Sequence, residues 1–376
     1  MELNTGHNDR PEMTKLADPE DLDRAPSAQR YSLHSADDSV RAGYSAQLTR
    51  SRSTLGVTFM SFVLASVPYG LSTTLIYPLT GGGPSTVLWG WLLVCSLMLC
   101  VAVSLGEITS VYPLAGGVYY QTFMLAPSRW RAPIAWVTGW SFTLGNIIIT
   151  LSVNFGTTLF LIGCINVFRD ETGAAVFAAE AWQTYLIFLF ITLLCNTVSA
   201  LGNRWLPILD MVAVVMTFLG VGAIMVCVLV IAKAGRHSAR YSFGEFEPTS
   251  GWQPSGWAFC VGLLHAAYAT SATGMITSMC EEVCEPRTQV PKAMVGTIML
   301  NAFCGFVFLV PLMFVLPNIA SIVSDSSGQP LPVILRSAIG SPGGAFALCV
   351  PIIVLGVVCG IGCTTAASRC AFAFAR

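Results

Sequence analysis

The stretch GWAFCVGLLHAAYATSATGMITSMCEEVCEPRTQVPK, residues 256–292, decides the fold of this chain. It begins as an apolar membrane helix, changes to small and hydroxyl-bearing residues at 269–274, and then becomes apolar again. Inside a bilayer every backbone N–H and C=O needs a partner within the protein. A polar, weakly helical patch at mid-depth therefore predicts a membrane helix that is interrupted beside a cavity or another helix.

The first apolar segment carries a matching interruption. Residues 65–74 read ASVPYGLSTT, in which Pro68 lacks a backbone N–H and Gly70 permits torsions that other residues avoid. Either segment alone is equally typical of a kinked helix in a packed bundle. Interrupted helices in both the first and the sixth positions are typical of secondary transporters, which hold their substrate at the broken ends.

The composition restricts the class of protein. Of the 376 residues, 54% are hydrophobic and only 10% are charged, whereas soluble domains carry roughly 25% charged residues. The net charge of -1 gives no reason to expect a nucleic-acid partner. Most of the 13 cysteines lie in apolar runs, where the thiol behaves as a small hydrophobe, and no cofactor or metal is expected.

Hydropathy divides the chain into two parts. Residues 1–53 are polar and are predicted to be a disordered tail, and residues 54–376 are predicted to be a transmembrane domain of the all-α polytopic class. Apolar runs of about 20 residues predict eight helices with short connections: Leu55–Leu79, Val87–Val111, Ile134–Phe168, Trp182–Leu201, Leu206–Ala232, Gly256–Cys280, Ala293–Ile319 and Ala345–Phe374. Basic residues concentrate on the flanks that share a side with the N-terminus, so the N-terminus is predicted to be cytoplasmic.

Five short motifs in the chain are typical of one family of membrane proteins. They are Gly81-Gly82-Gly83-Pro84, Glu107-Ile108-Thr109-Ser110, Gly116-Gly117-Val118-Tyr119-Tyr120, Glu281-Glu282-Val283 and Val290-Pro291-Lys292-Ala293. Together they resemble the fungal amino acid/choline transporters, including GABA and choline permeases, of the amino acid–polyamine–organocation superfamily. The resemblance implies a leucine-transporter-type bundle with an inverted repeat and ten or more helices. Because eight are found here, we expect the chain to be a fragment whose second repeat is incomplete.

The resemblance also implies a function. Such proteins import a small amine or amino acid, for example GABA or choline, with a proton or along the substrate's own gradient. The bilayer expected is the plasma membrane, with a vacuolar or other internal membrane as the alternative. A truncated non-transporting paralogue or a membrane nutrient sensor is the competing function, and no constellation of residues predicts an enzyme.

The two interruptions supply most of the predicted substrate-binding residues. They are Ser66, Val67, Pro68, Tyr69 and Gly70 in the first segment and Tyr268, Ser271, Ala272, Thr273 and Gly274 in the sixth, with the mid-span amide Asn146 in the third. Freed amides in the first interruption would bind a substrate carboxylate. Freed carbonyls in the sixth, beside the Tyr268 ring, would suit an ammonium group.

Five ionisable residues are candidates for coupling or gating. Glu107 and His265 lie within membrane segments, where such groups are either paired structurally or carry protons. Glu281, Glu282 and Lys292 form a charged exit from the sixth segment. That exit is either a solvated face or a gate made of breakable charge pairs.

Overall fold

A computed structural model describes residues 54–114, 116–169, 175–202, 205–232, 236–283, 285–323 and 328–375. The predicted tail, residues 1–53, lies outside the described residues. The side chains of Glu281 and Glu282 also lie outside them, although the backbone there is described.

The described part of the chain is helical. Its α-helices are α1 (Thr54–Ala65), α2 (Val67–Thr73), α3 (Ile76–Gly82), α4 (Pro84–Val111), α5 (Gly117–Leu125), α6 (Arg131–Ile165), α7 (Ala181–Leu201), α8 (Leu206–Ile231), α9 (Ala239–Gly244), α10 (Ser255–Gly262), α11 (Leu264–Thr270), α12 (Pro286–Phe314), α13 (Ile319–Val323), α14 (Pro330–Ile339) and α15 (Pro342–Phe374). A 3₁₀ segment, Ser271–Glu282, follows α11.

Eight membrane spans follow from these helices. Seven are long and apolar enough to cross a bilayer, and α1–α3 form an eighth if the bent helices are counted as one span. Span 1 is α1–α3, and spans 2 to 5 are α4, α6, α7 and α8. Span 6 is α10, α11 and the 3₁₀ segment, span 7 is α12, and span 8 is α15. The predicted all-α polytopic class and its eight segments are confirmed.

The prediction of short connections is wrong in two places. The link between spans 5 and 6 contains α9, and the link between spans 7 and 8 contains α13 and α14. Helix α14 is too short to cross a bilayer. It buries one apolar face, with Leu331, Ile334 and Leu335 fully covered, which explains why it packs on the bundle although it does not span the membrane.

The most extensive helix packing joins spans that lie five positions apart in the chain. Spans 2 and 7 pack along their length, spans 3 and 8 do likewise, and span 1 packs on span 6. At the contact of spans 2 and 7 the buried Trp91 ring lies against Gly305, and its Nε1 donates to the Ala302 carbonyl at 3.0 Å. This pairing of spans is the one expected when a five-helix unit is repeated.

Span 1 and span 6 also meet away from their breaks. A Cβ on Gly81 of α3 would lie 2.7 Å from the Ala258 carbonyl oxygen of α10, and a Cβ on Gly262 would lie 3.3 Å from Pro78 Cα. Real Cβ atoms do not approach a backbone oxygen so closely, so only glycine at position 81 allows this backbone contact. The contact closes the bundle between α3 and α10.

Candidate functional site

The break in span 1 lies at Ser66. Its backbone is left-handed, with φ 37° and ψ 54°, and it is the only non-glycine residue with a positive φ in the described part of the chain. Such a conformation is rare for a residue with a Cβ and is found mostly where the surroundings enforce it. Gly70, which permits such torsions, lies instead within helix α2.

Pro68 leaves one backbone carbonyl at this break without its helical hydrogen-bond donor. In an α-helix the N–H of residue 68 would bond the carbonyl of Leu64, and proline has no N–H. The Cys359 thiol of span 8 donates to that Leu64 oxygen instead, at 3.4 Å. The missing backbone hydrogen bond in span 1 is thus replaced by a side chain from span 8.

The sharp bend of span 1 lies further along. The axis turns by 49° between the helix that ends at Thr73 and the one that begins at Ile76. The last carbonyls of α2 lack helical partners, as at any helix end. His265 of span 6 satisfies one of them, since its Nε2 lies 3.0 Å from the Leu71 oxygen, and His265 is fully buried.

Gly70 brings the two broken spans into contact. A Cβ at this position would lie 3.3 Å from both Cα and Cβ of Ala269. That distance is shorter than nine in ten real Cβ contacts. Gly70 therefore allows the close approach of α2 and α11.

The break in span 6 is a change of helix type. Helix α11 ends at Thr270, and the next 12 residues, Ser271–Glu282, form a 3₁₀ helix. Runs of 3₁₀ longer than three or four residues are uncommon and often mark a functional hinge. The expectation of an interruption at 269–274 agrees with this change, but the chain continues as 3₁₀ helix rather than α-helix.

Hydroxyl groups bond back to the backbone along the 3₁₀ segment. Ser271, Thr273 and Thr277 each donate to the carbonyl three residues earlier, all at 2.8 Å. Those carbonyls already accept a hydrogen bond, so they are not freed by the break. On the span 1 side, the amides of Ser66 and Gly70 are bonded as well, each at 3.0 Å, to the Phe62 and Ser66 carbonyls.

A narrow cleft lies where the two breaks meet. Five predicted substrate-binding residues line it, and they are Tyr69, Gly70, Tyr268, Ser271 and Ala272. The cleft has room for about one water molecule, so a substrate molecule does not fit in this conformation. No acidic or basic side chain is among the described residues that line it.

Two tyrosines form the aromatic part of the cleft wall. The buried Tyr69 hydroxyl donates to the Val153 carbonyl of span 3 at 2.6 Å and accepts from the Thr157 hydroxyl at 3.0 Å. The Ser152 hydroxyl donates to the Tyr268 hydroxyl at 3.4 Å. Span 3 thus orients both phenols, because both bond to residues on one stretch of α6.

Comparison with known proteins decides the family. The family model described as amino acid permease matches residues 53–376. The chain belongs to the amino acid permease family. It is 30% identical to an amino acid/polyamine transporter of Macrophomina phaseolina over 84% of this chain and 68% of that protein. It is 26% identical to a choline transporter of Saccharomyces cerevisiae over 90% of this chain and 59% of that protein.

A plant relative has the same degree of similarity. The chain is 26% identical to an amino-acid permease of Arabidopsis thaliana, over 89% of this chain and 66% of that protein. The chain therefore spans about three-fifths to two-thirds of the length of these three members of the amino acid permease family. The resemblance seen in the sequence motifs is confirmed by these matches.

The other predicted residues of this permease-family site lie outside the cleft lining. Ser66 is 2% exposed, and its hydroxyl has no hydrogen-bond partner among the described residues. Val67 and Pro68 are buried behind the break. The Asn146 Nδ2 donates to the Phe142 carbonyl of the same span at 2.7 Å and lies 3.9 Å from Cys370 Sγ of span 8.

Thr273 and Gly274 belong to the 3₁₀ segment but not to the cleft lining. Thr273 is buried with its hydroxyl bonded to Thr270. A Cβ on Gly274 would meet only the Phe142 ring, at an ordinary contact distance of 4.0 Å. Gly274 is therefore not required for close packing, in contrast to Gly70.

The charged candidates lie apart from the cleft. Glu107 is exposed near the end of α4. Lys292 is exposed in α12. The 3₁₀ segment ends at Glu282, and the side chains of Glu281 and Glu282 are outside the described residues.

Sequence reasoning missed most of the cleft wall outside the two breaks. Span 3 supplies Ile149 and Val153, and span 8 supplies Cys359 and Cys363. Pro68 was the one available signal, because a proline in a membrane helix leaves a carbonyl that some neighbour must satisfy. Nothing in the sequence identified that neighbour as a thiol 295 positions away from Leu64.

Proposed function

We propose that the chain forms a secondary transporter that imports a small amine or amino acid, such as GABA or choline. The observation that carries this proposal is the meeting of two broken spans, 1 and 6, at one cleft, with Gly70 against Ala269. Broken helices that meet inside the bilayer are the binding architecture of many secondary transporters. The substrate is the partner proposed together with the lipid bilayer, and no nucleic acid is expected.

The cleft wall favours a substrate with an ammonium group. With no acidic side chain in the described lining, a cation would be recognised by the faces of Tyr69 and Tyr268. The named relatives are described as transporters of choline, amino acids or polyamines, all of which carry cationic nitrogen. Asn146, Thr273 and Gly274 do not line the cleft. Contacts between these residues and the substrate therefore require the site to open further.

Proton coupling is the second part of the proposal. His265 is buried between spans 1 and 6, and Glu107 is an exposed carboxylate near the end of span 2. Both can change their charge, so both are candidates for proton coupling. Glu281, Glu282 and Lys292 are proposed as a gate at the charged end of span 6.

Reconstitution in liposomes tests both parts. Liposomes that contain the purified full-length protein are supplied with radiolabelled choline, GABA and a panel of amino acids under an imposed proton gradient. We expect at least one compound to accumulate above its equilibrium level, and a protonophore to abolish the accumulation. Uptake that stops at the equilibrium concentration of the substrate would contradict proton coupling. Saturable binding without any uptake would support the nutrient-sensor alternative. Glu107→Gln is expected to retain binding and to lose accumulation if Glu107 carries the proton.

We also propose that the N-terminus is cytoplasmic in the plasma membrane, rather than in a vacuolar or other internal membrane. Ser337 in α14 then lies outside the cell and Thr288 at the start of α12 inside, and both residues are exposed. In intact cells, Ser337→Cys should react with a membrane-impermeant maleimide, whereas Thr288→Cys should react only after permeabilisation. The opposite labelling pattern would reverse the orientation, and no labelling of either before permeabilisation would indicate an internal membrane.

A further inference from the structure

Two cysteines on span 8 form a thiol pair in the cleft wall. Cys359 and Cys363 lie one turn apart on α15, both are buried, and their sulfur atoms are 4.0 Å apart. Both line the cleft between the broken spans. The Cys359 thiol donates to the Leu64 carbonyl, and the Cys363 sulfur lies within hydrogen-bond distance of Cys359 Sγ.

We propose that Cys359 and Cys363 bind a thiophilic divalent cation, Zn²⁺ or Cd²⁺, and that the bound ion blocks the cleft. Thiolates are soft ligands that select such ions over Mg²⁺ or Ca²⁺. Two sulfurs at Zn–S distances of about 2.3 Å in a tetrahedral arrangement are separated by about 3.8 Å. The observed separation of 4.0 Å is close to that value, so the pair can chelate the ion with only a small adjustment.

The number of ligands makes this site regulatory rather than structural. Among the described residues no third His, Cys, Asp or Glu joins the pair to complete a metal site. Water would fill the remaining positions, whereas structural zinc sites use four protein ligands. The ion would therefore bind reversibly and would enter when the cleft opens.

Binding changes the hydrogen bonds at the break in span 1. Each thiol releases one proton to water, and the two thiolates balance the two positive charges of the ion. The Cys359 sulfur then has no proton to donate to the Leu64 carbonyl, which has no helical partner because of Pro68. An unpaired carbonyl in the bilayer is unfavourable, and the ion itself occupies the cleft. Both effects oppose transport, a consequence that rests on the proposed function.

A binding experiment tests the site without any transport. The purified protein is titrated with Cd²⁺, and binding is followed by the ultraviolet charge-transfer absorption of cadmium–thiolate bonds. Cys359→Ser and Cys363→Ser each keep a hydroxyl donor in place of the thiol but remove one ligand. Loss of one arm of a chelate is expected to weaken binding by about a hundredfold.

A second thiol pair supplies the matched control. Cys164 of span 3 lies near Cys349 of span 8, and both are buried and absent from the cleft lining. The double variant Cys164→Ser/Cys349→Ser should keep the tight Cd²⁺ absorption that Cys359→Ser/Cys363→Ser loses. Equal absorption in wild type and Cys359→Ser/Cys363→Ser would overturn the site.

An uptake experiment tests the block. Each protein is compared with its own untreated rate, and Cd²⁺ at the concentration that saturates the absorption is expected to lower wild-type uptake by about tenfold, the ratio that corresponds to 1.4 kcal/mol. Uptake by Cys359→Ser/Cys363→Ser should be insensitive to that concentration. Tight binding with unchanged wild-type uptake would overturn the block. Absence of uptake from all untreated proteins would contradict the transporter proposal and leave the binding result as the test of the site.

Discussion

Gly70→Leu is expected to abolish substrate uptake. Even a Cβ at position 70 would lie 3.3 Å from the Cα and Cβ of Ala269, and leucine adds three more carbon atoms in the same direction. Overpacking of a close contact typically costs about 1–3 kcal/mol, and it costs more when the neighbour is backbone that cannot move aside. Helices α2 and α11 could then no longer close around the cleft.

The measurement is the initial rate of uptake of the compound that the wild type accumulates, with the amount of protein in the membrane determined in parallel. Gly145→Leu is the matched control, because no atom lies within 4 Å of a Cβ at Gly145 and the residue is exposed on α6. We expect that variant to keep near wild-type uptake. Wild-type uptake by Gly70→Leu at equal abundance would show that close contact of the two breaks is not needed.

His265→Leu is expected to give the second large loss. The His265 Nε2–H is the donor to the Leu71 carbonyl at 3.0 Å, next to the 49° bend of span 1. Leucine fills a similar volume but leaves that buried carbonyl without a partner, which costs about 1–3 kcal/mol. The bend would then shift, and we expect uptake to fall by at least about tenfold.

His265→Gln separates a structural role from a proton-carrying role. Glutamine keeps a donor for the Leu71 oxygen but does not change its charge with pH. If His265 only orients span 1, this variant should restore most of the uptake and keep its dependence on the proton gradient. If His265 carries the proton, the variant should equilibrate substrate without accumulating it. Wild-type uptake by His265→Leu would argue against both roles.

The spans were predictable because the bilayer imposes a simple rule on the sequence. A helix that crosses it must be apolar for about 20 residues, and all eight segments obey this rule. The observed ends of the helices differ from the predicted ends where residues that favour a helix N-terminus lie outside the apolar run. Span 7, for example, begins at Pro286 rather than Ala293, because proline is well tolerated in the first turn and the polar residues that follow remain helical.

The breaks were predictable in position but not in geometry. Proline and small hydroxyl residues located both interruptions, yet the strained residue is Ser66 rather than Gly70. The torsion of Ser66 and the 3₁₀ form of residues 271–282 depend on contacts with other spans, which no local pattern contains. The same holds for the pairing of Cys359 with the Leu64 carbonyl, since residues far apart in sequence meet there only after folding.

The helix type of Ser271–Glu282 has a mechanical consequence. Twelve residues in 3₁₀ form extend about 24 Å at a rise of about 2.0 Å per residue, whereas in α form they would extend about 18 Å at about 1.5 Å per residue. Rewinding of this segment would therefore shorten span 6 by about 6 Å, and the start of span 7 at Pro286 would be drawn towards the cleft. The hydroxyls of Ser271, Thr273 and Thr277, each bonded to a carbonyl three residues back, lie along the segment whose length would change.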